Sequence, residues 1–360
     1  MRHIFSSLMG AFLGLIPLGC IDEIDLDSKV PQESKLVIDG QLRAGNPSTL
    51  LVQVSRSIDF QETPTTNFVG GGSLKIMDDT GAEESVPEIE GGIFMRSFDA
   101  SSAFEVRAGK AYKMVLELEG KVYESSFDTL YSVPKADSLS IGWERREVLN
   151  ESENIIEQFF WKVFIHTPLV PENSPTVPNL RWDFTGVYRF VETPPTSPFV
   201  EQRSCYVPDK INIEEISILN REEPTTQQLT NYLVMEEPIT HKVSSGYLLT
   251  VFQQSISDNA FQYWDKARQV ISRSGGFLET PPGKIRGNIF QVDDPREEVL
   301  GLFYVSDVDT ARILVRARDF PFGVLGFCPS APTDAEIDET CRNCLLWPNS
   351  SYEQPPFWEP

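Results

Sequence analysis

The residues that could carry acid–base or nucleophilic chemistry are few in this chain. Apart from His3 in the first apolar segment, the histidines are His166, at the end of a strand-like stretch, and His241, in a predicted loop. A Ser–His–Asp system needs a base that is oriented by a carboxylate and lies beside a nucleophile. The G-x-S-x-G, H-E-x-x-H, G-x-G-x-x-G and P-loop patterns do not occur. We therefore name no catalytic residue and expect a non-enzymatic protein, with a hydrolase of dispersed active site as a weaker alternative.

Carboxylates are abundant but form no recognisable site. With 53 Asp and Glu residues, adjacent pairs such as Asp78-Asp79 are expected by chance, and they lie in predicted turns. Asp307 and Asp309 could contribute to calcium binding, but the D-x-D-x-D-G loop that would make this a strong signal is missing. We therefore predict no metal and no cofactor, and a structural calcium ion stays open as an alternative.

The four cysteines after Cys20 predict disulfides. Cys205, Cys328, Cys341 and Cys344 allow three pairings, and the sequence does not select one. A zinc site needs two close pairs or added histidines, whereas only the last two cysteines are close here. We expect one or two disulfides, because such bonds persist outside the cytoplasm.

The tryptophans allow two interpretations. Trp143, Trp161 and Trp182 could form a sugar-stacking platform, but at strand spacing they are more typical of a core. Phe357 and Trp358 end a proline-rich tail and are our candidates for partner binding, because exposed aromatic side chains often mark partner surfaces. The alternative, in which the tail folds back and Trp358 fills a groove of its own domain, is equally open.

The N-terminus has the pattern of an exported lipoprotein. Arg2 and His3 precede a short apolar run, and residues 1–19 read as a signal peptide that is too short for a membrane span. The run ends at Leu-Gly-Cys, which resembles the site where a bacterial lipoprotein is cleaved and acylated at the cysteine, here Cys20. Several acyl chains on Cys20 would anchor the protein stably. The acidic segment 20–34 then reads as a tether that an anionic membrane surface repels.

The net charge limits the classes of partner. There are 31 Lys and Arg residues against 53 acidic ones, a formal charge of −22. Such a surface repels nucleic acid and anionic lipid head groups. We therefore expect no nucleic-acid partner, and attachment to the membrane only through the lipid.

The hydrophobic pattern predicts a mainly β protein. Short alternating stretches with glycine turns over residues 35–134 indicate an N-terminal Ig-like or transthyretin-like β-sandwich. It includes hairpins at Asp79-Thr80-Gly81 and Glu119-Gly120. A second β-rich domain is predicted over 135–327, and residues 328–360 read as a Cys- and Pro-rich tail. In the second domain "IIEQFFWKVFIHTP" alternates as a long strand, with Phe159, Trp161, Val163 and Ile165 on one face.

One helix is expected in the second domain, near residues 258–273. Ser257 is the predicted N-cap and Gly275 the predicted stop. After it, "KIRGNIFQV", "EVLGLFYVS" and "ARILVRARDF" read as separate strands. Gly287 and Gly301 within them mark close backbone approaches, which we expect to be against the helix.

These late segments carry a family resemblance. Tyr263-Trp264, "PPGKIRGNIF", "EEVLGLFYVS" and the cysteine-rich tail, together with the lipoprotein start and "KLVIDGQL", resemble an uncharacterised family of Bacteroidota lipoproteins, the domain of unknown function DUF4249. Members are commonly encoded beside TonB-dependent outer-membrane receptors. The resemblance implies a surface-facing outer-membrane lipoprotein that serves such a receptor in nutrient capture or assembly. A stand-alone carbohydrate- or peptide-binding lipoprotein is the alternative, and the family supplies no catalytic residues.

Overall fold

The computed structural model describes residues 34–57, 67–150, 152–193, 199, 201–209, 211, 216–272, 284–329 and 337–358. The predicted signal peptide, Cys20 and the tether to residue 33 lie outside these residues, as does Gly275. Lys35–Pro360 form one unit, and all the features described below belong to it.

Strands dominate the described residues, which confirms the mainly β prediction. They form β1 Leu36–Ala44, β2 Ser48–Arg56, β3 Asn67–Phe68, β4 Ser73–Asp78, β5 Glu83–Val86, β6 Glu88–Glu90, β7 Ile93–Phe98, β8 Ala111–Leu118, β9 Lys121–Ser125, β10 Asp128–Thr129, β11 Ser138–Leu149, β12 Ile155–Pro168, β13 Asn179–Val191, β14 Ser204–Asp209, β15 Ser217–Leu219, β16 Gln228–Pro238, β17 Tyr247–Ile256, β18 Ile289–Gln291 and β19 Phe303–Val315. One α-helix, α1 Asp258–Ile271, follows β17. Single 3-10 turns lie at His241–Val243, Ala317–Asp319, Glu339–Cys341 and Cys344–Leu346.

The strands assemble into three sheets. Sheet I has the order β14-β13-β17-β19-β1-β2-β7-β6, with β15 also paired to β13 and β3 to β2. Sheet II has the order β18-β9-β8-β4-β5, with β10 also paired to β8. Sheet III contains β11, β12 and β16 in that order. Both predicted hairpins are confirmed, because β4 pairs with β5 and β8 with β9 in antiparallel register.

Sheet I pairs the first strand of the described residues with the last one. β1 and β19 pair in parallel, with Gly40 opposite Phe303 and Ala44 opposite Asp307. β19 is one continuous strand that includes most of "LFYVS" and all of "ARILV", so the expectation of two separate strands there is wrong. No turn interrupts the strand between Ser306 and Ala311, because β1 pairs with residues 303–307 and β17 takes over the pairing at residues 308–315.

Gly287 and Gly301 allow backbone segments to approach one another, and the expectation that they face the helix is wrong. Gly301 has φ +97°, and a Cβ there would lie 2.1 Å from the Ile38 carbonyl oxygen. A Cβ on Gly287 would lie 1.7 Å from the Gly301 oxygen. Because both residues lack a Cβ, the backbone segments can come this close. The residues before β19 therefore extend its parallel pairing with β1, and Ile38 N–H donates to Leu300 O at 2.9 Å.

Two cores lie against sheet I. One is shared with sheet II and packs Ile38, Leu50, Val52 and Phe94 with residues such as Met114, and residues 289–305 complete it. The other is shared with sheet III and packs Trp161, Val163 and Ile165 of β12 against the β13 and β17 side chains. The alternation predicted for β12 is therefore confirmed for its buried face.

A polar seam holds the chain where it passes from sheet II to sheet III. Segment 131–136 is bonded to side chains of β17 and β19. The bonds are Ser255 Oγ to Tyr131 O (2.6 Å), Val133 N to Asp307 Oδ2 (3.0 Å), Gln253 Nε2 to Pro134 O (2.7 Å) and Ala136 N to Asp309 Oδ2 (2.8 Å). These bonds satisfy backbone groups of an irregular segment, which would otherwise be costly to bury.

Helix α1 begins as the sequence predicts. Ser257 Oγ accepts a hydrogen bond from Ala260 N at 3.1 Å and is itself bonded to Asp128. The Asp128 carboxylate also accepts from Val305 N at 2.8 Å. Phe261 and neighbouring residues of α1 form a small third core with Tyr304 and others. None of the helices within the described ranges has the length and apolar character required to cross a membrane.

The domain boundaries proposed at residues 134 and 327 stay a prediction. Sheet I contains strands from both sides of residue 134 in the sequence, so strands of the two predicted domains are hydrogen-bonded in one sheet. The first core likewise includes Ile289, Val299, Phe303 and Val305.

Replacing Gly301 should test the backbone approach at the start of β19. We expect Gly301→Ala to lower the free energy of unfolding by at least about 2 kcal/mol, because the methyl group overlaps the Ile38 carbonyl at a left-handed backbone position. Gly323→Ala is the matched control, since a Cβ there meets no atom within 4 Å. Urea unfolding of both variants measures the difference, and equal losses would contradict the assignment.

Asp128 should make stability depend on pH. Burial raises the pKa of Asp128 from its ordinary value of 3.8 to about 6, although hydrogen bonds from Ser257 and Val305 oppose this. The protonated carboxyl is therefore favoured in the folded state, and the stabilisation it gives below about pH 4 is lost as the pH rises to about 6. Relative to the parent, Asp128→Asn should gain about 2 kcal/mol between pH 4 and pH 7. Urea unfolding across this range measures it, and a constant difference would refute it.

Candidate binding groove

An open groove lies between sheet III and the region of sheet I that carries β15 and α1. Its volume is about 840 Å³, within the range of ligand-binding pockets. One wall is a run of seven consecutive residues of β16, Tyr232–Pro238. The opposite wall contains Ile216, Ser217 and Ile218 and the last turns of α1. We call this feature the β16 groove.

The β16 wall has an irregular register that exposes one leucine. The pairing with β12 shifts between Val163 and Phe164, so that Val234 is the extra residue of a bulge. Val234 and Met235 are consecutive and both buried, whereas Leu233 is 43 % exposed. The bulge therefore directs Leu233 outward along the groove.

One end of the groove carries a charged and aromatic cluster. The Arg146 guanidinium lies 4.2 Å from the centre of the Phe160 ring and forms an ion pair with Glu236. Lys162 Nζ lies 3.5 Å from Glu236 and also pairs with Glu144. The hydrogen bond to Glu236 raises the pKa of Arg146, and the one from Lys162 lowers the pKa of Glu144. Arg146 Nε is buried without a hydrogen-bond partner among the described residues.

The other end is formed by α1 and Tyr232. Arg268 Nη2 pairs with Asp265 at 2.6 Å, and Gln269 donates to the same carboxylate at 2.8 Å. The Tyr232 ring lies 5.4 Å from the Trp182 ring, and burial raises the pKa of its hydroxyl. The groove thus has an apolar middle, the Arg146–Glu236 ion pair at one end and Arg268 at the other.

The two histidines do not assemble a catalytic system in the described part of the chain. His166 Nε2 lies 3.1 Å from Ser140 Oγ, on paired strands of sheet III, but no described carboxylate is bonded to its ring. The His241 ring packs at a tilt against Phe327, with the ring centres 5.1 Å apart, and burial lowers the pKa of His241.

The pocket around His241 also contains a serine and a carboxylate, but each is bonded elsewhere. This pocket has a volume of about 180 Å³. Ser244 Oγ donates to the His241 backbone carbonyl at 2.6 Å. Glu192 pairs with Arg203 at 3.0 Å and accepts from Cys344 N at 2.9 Å. His241 Nε2 bonds to no described residue, so this set lacks the relay geometry of a triad.

Asp307 and Asp309 serve the fold. Each carboxylate accepts a backbone N–H of the polar seam, and burial raises the pKa of Asp307. Within the described residues, no group of three or more His, Cys, Asp or Glu is arranged to hold a metal ion.

The tryptophans expected at strand spacing divide between core and surface. Trp161 and Trp182 are buried, and Trp182 Nε1 donates to Gln253 at 3.0 Å. Trp143 is 45 % exposed and packs edge-on against Phe322 at 5.3 Å. A platform formed by all three tryptophans is therefore not present.

The four cysteines form two disulfides, as predicted, and the structure selects one of the three pairings. Cys205 pairs with Cys344, and Cys328 pairs with Cys341. The C-x-x-C cysteines therefore bond to different partners, which joins the tail to β14.

The tail folds back on sheet I. Ser351 exchanges two backbone hydrogen bonds with Tyr206 of β14, at 2.8 and 3.1 Å. Trp358 is 5 % exposed and packs on Tyr206 at 4.8 Å, so Trp358 is not available as a partner-binding residue in this arrangement. Phe357 is 65 % exposed, with the Arg312 guanidinium 4.2 Å from its ring centre. Partner binding through Phe357 stays a prediction.

Sequence reasoning did not identify the residues of the β16 groove. Arg146, Tyr232, Leu233 and Arg268 come from three separate elements, and their meeting depends on how sheet III lies against sheet I. The available signal was the uncharged run "NYLVM" in β16, followed by two acidic residues.

The disulfide between Cys205 and Cys344 should be the more important of the two for stability. It closes a separation of 139 residues, against 13 for Cys328–Cys341. Closing the longer loop removes more conformational entropy from the unfolded chain, which stabilises the folded state more. Replacing both Cys205 and Cys344 by serine should cost about 2–5 kcal/mol. The Cys328/Cys341 double serine variant is the control, and urea unfolding compares them. A larger loss in the control would contradict this ranking.

Comparison with known proteins identifies the family of this chain. A search of curated proteins finds no match to this chain. The family described as "Domain of unknown function (DUF4249)" matches residues 21–312, which is most of the chain and includes β1 through most of β19. The chain therefore belongs to the DUF4249 family.

Proposed function

We propose that this protein is a surface-facing outer-membrane lipoprotein that acts as a non-enzymatic binding accessory of a TonB-dependent receptor. The observation that carries the binding role is the β16 groove, a volume of about 840 Å³ lined by apolar, aromatic and charged side chains. Such a mixture, with a few polar groups around an apolar middle, is typical of ligand sites.

The proposed location is supported by the N-terminal sequence. An apolar segment ends at Cys20 and is followed by Asp22, Glu23, Asp25 and Asp27. Acylation of Cys20 would anchor the chain to the membrane, and the acidic residues would keep the folded part away from anionic lipid. The receptor association rests on the family resemblance.

A stand-alone binding lipoprotein is the second candidate. The exposed Trp143 ring, which packs with Phe159 and Phe322, is a flat apolar surface of the kind that sugars stack on. A receptor would not be needed for that role.

Acylation of Cys20 is tested by labelling. We expect the parent protein to incorporate labelled palmitate and to fractionate with the outer membrane, because the thiol carries the anchor. Cys20→Ser should incorporate none and should leave the membrane fraction. Equal membrane binding of the two proteins would exclude the lipid anchor.

Receptor association is tested by affinity capture. The lipidated protein with a C-terminal tag, purified from detergent-solubilised outer membranes, should retain a TonB-dependent receptor that mass spectrometry identifies. An unrelated outer-membrane lipoprotein with the same tag is the control. Recovery of the protein alone would reject the accessory role and leave the stand-alone role.

A further inference from the structure

We propose that two copies of this protein associate through the outer edges of their β11 strands, which pair in antiparallel register around Arg146. The proposed dimer goes beyond the proposed function and does not depend on it. It is supported by a hairpin that extends past its neighbours, by exposed apolar side chains near the tip, and by charges that a second copy complements.

The hairpin of β11 and β12 extends past the rest of sheet III. The pairing of β12 with β16 ends at Phe160, and Trp161 is the first buried residue of β12. Among the described residues, 146–149 and 155–158 therefore pair only with each other. We call these two segments the free ribbon. A two-stranded ribbon by itself is marginally stable in water, so further strands would stabilise it.

Apolar side chains are exposed on the free ribbon. Leu149 and Ile155 lie opposite each other and are 68 % and 69 % exposed. Val148 and Ile156 form the adjacent pair on the other face of the ribbon, and Ile156 is also exposed. Apolar groups that are exposed together on neighbouring strands indicate a surface that a partner covers.

One carboxylate pair on the free ribbon is incompletely compensated. Glu147 lies directly opposite Glu157, and like charges at such positions are destabilising. Arg145 Nη1 lies 3.5 Å from Glu157, whereas Glu147 forms no ion pair with a described residue. These carboxylates oppose insertion of the ribbon into lipid. A protein that places an arginine beside Glu147 is therefore the matching partner.

The outer edge of β11 is open in the described chain. β11 pairs with β12 alone, and no backbone hydrogen bond joins residues 143–149 to another described segment. The charges of this edge, Glu144–Glu147, are two glutamates and two arginines and sum to zero. Edges that resist association carry charges that repel a second copy. The β11 edge has no such excess of one sign.

A twofold axis at Arg146 makes the β11 edge self-complementary. The axis is perpendicular to the sheet, so residues of one face meet residues of the same face. Arg145 then lies opposite Glu147 of the second copy, and the exposed Trp143 lies opposite Leu149. Symmetry repeats both contacts. A shift of the axis by one residue in either direction instead places Arg145 or Glu147 opposite its own copy.

This register supplies the charge that the free ribbon lacks. Glu147 lies between Glu157 of its own chain and Arg145 of the second copy. Arg146 pairs with Glu236 of β16, which lies on the far side of β12, so the two Arg146 guanidinium groups point away from the axis. The two copies of sheet III then form one continuous sheet with both free ribbons in its middle.

Sedimentation velocity tests the association. The processed full-length protein, purified in detergent from the cells that make it, should sediment as a dimer. Arg145→Glu and Glu147→Arg should each weaken dimerisation at least about tenfold, because each brings like charges together twice. The combined variant should return to within about threefold of the parent, since it exchanges the two charges. A parent protein that stays monomeric at high micromolar concentration would overturn the proposal.

Arg189→Glu is the matched control for these variants. Arg189 is an exposed arginine of β13, outside the proposed interface, and its replacement should leave the dimer unchanged. Circular dichroism and thermal unfolding verify that each variant folds. A dimer that Arg145→Glu leaves intact would place the contact on another surface. Failure of the combined variant to restore the dimer would reject the register.

A cysteine crosslink tests the register with the Arg145–Glu147 contact in place. Across the axis the two Cβ atoms of residue 146 lie about 5 Å apart, close to the disulfide range. Those of residue 148 lie about 14 Å apart. Mild oxidation should therefore link Arg146→Cys into a dimer and should not link Val148→Cys.

The parent protein is the background control for crosslinking, because its four cysteines after Cys20 already form disulfides. A disulfide-linked dimer of Val148→Cys without one of Arg146→Cys, or no linked dimer of either variant, would overturn the proposal.

Hydrogen exchange distinguishes a second copy from a different protein. In the dimer, exchange of residues 143–149 should be slower than in the Arg145→Glu monomer. Slow exchange of these residues only when a receptor is bound to monomeric protein would assign the edge to the receptor and overturn the second copy. Dimerisation without receptor capture would reject only the accessory role, and receptor capture by a monomer would reject only the dimer.

Discussion

The parallel pairing of β1 with β19 is the constraint on which the rest of the structure depends. It places the first strand of the described chain in the middle of sheet I, next to a strand some 260 residues later. Both cores use this sheet, so each is completed by side chains from distant parts of the sequence. The pairing requires close backbone approaches at Gly301 and Gly287. A side chain at either glycine would separate the strands that both cores share.

The groove is a consequence of how sheet III is attached. Its three strands pair only among themselves in the described chain, and they are held to sheet I by the buried face of β12 and by the polar seam. β16 therefore ends sheet III with an edge directed toward β15 and α1. The β16 groove is a gap between two sheets that are not hydrogen-bonded to each other in the described chain. The residues that line it can therefore come from separate parts of the sequence.

Sequence patterns predicted the local elements well where they depend on short-range physics. The hairpins at Gly81 and Gly120, the Ser257 N-cap and the buried face of β12 follow from turn residues, capping and alternation, which act over a few residues. The long β19 was divided wrongly, and Gly287 and Gly301 were assigned to the wrong neighbour. Those features depend on which strands pair, and strand pairing over long separations leaves no local signal.

The sequence by itself determined a mainly β protein with one helix, an acidic surface, two pairs of cysteines available for disulfides and membership of a family. These properties follow from composition, from periodicity and from residues adjacent in the chain. Only the tertiary structure decided that Cys205 pairs with Cys344, that Trp358 is buried on β14, and that an apolar edge of β16 faces a groove. The first two depend on contacts across more than a hundred residues and the third on contacts across tens of residues. In each case the energy of packing and pairing, not local preference, selects the partner.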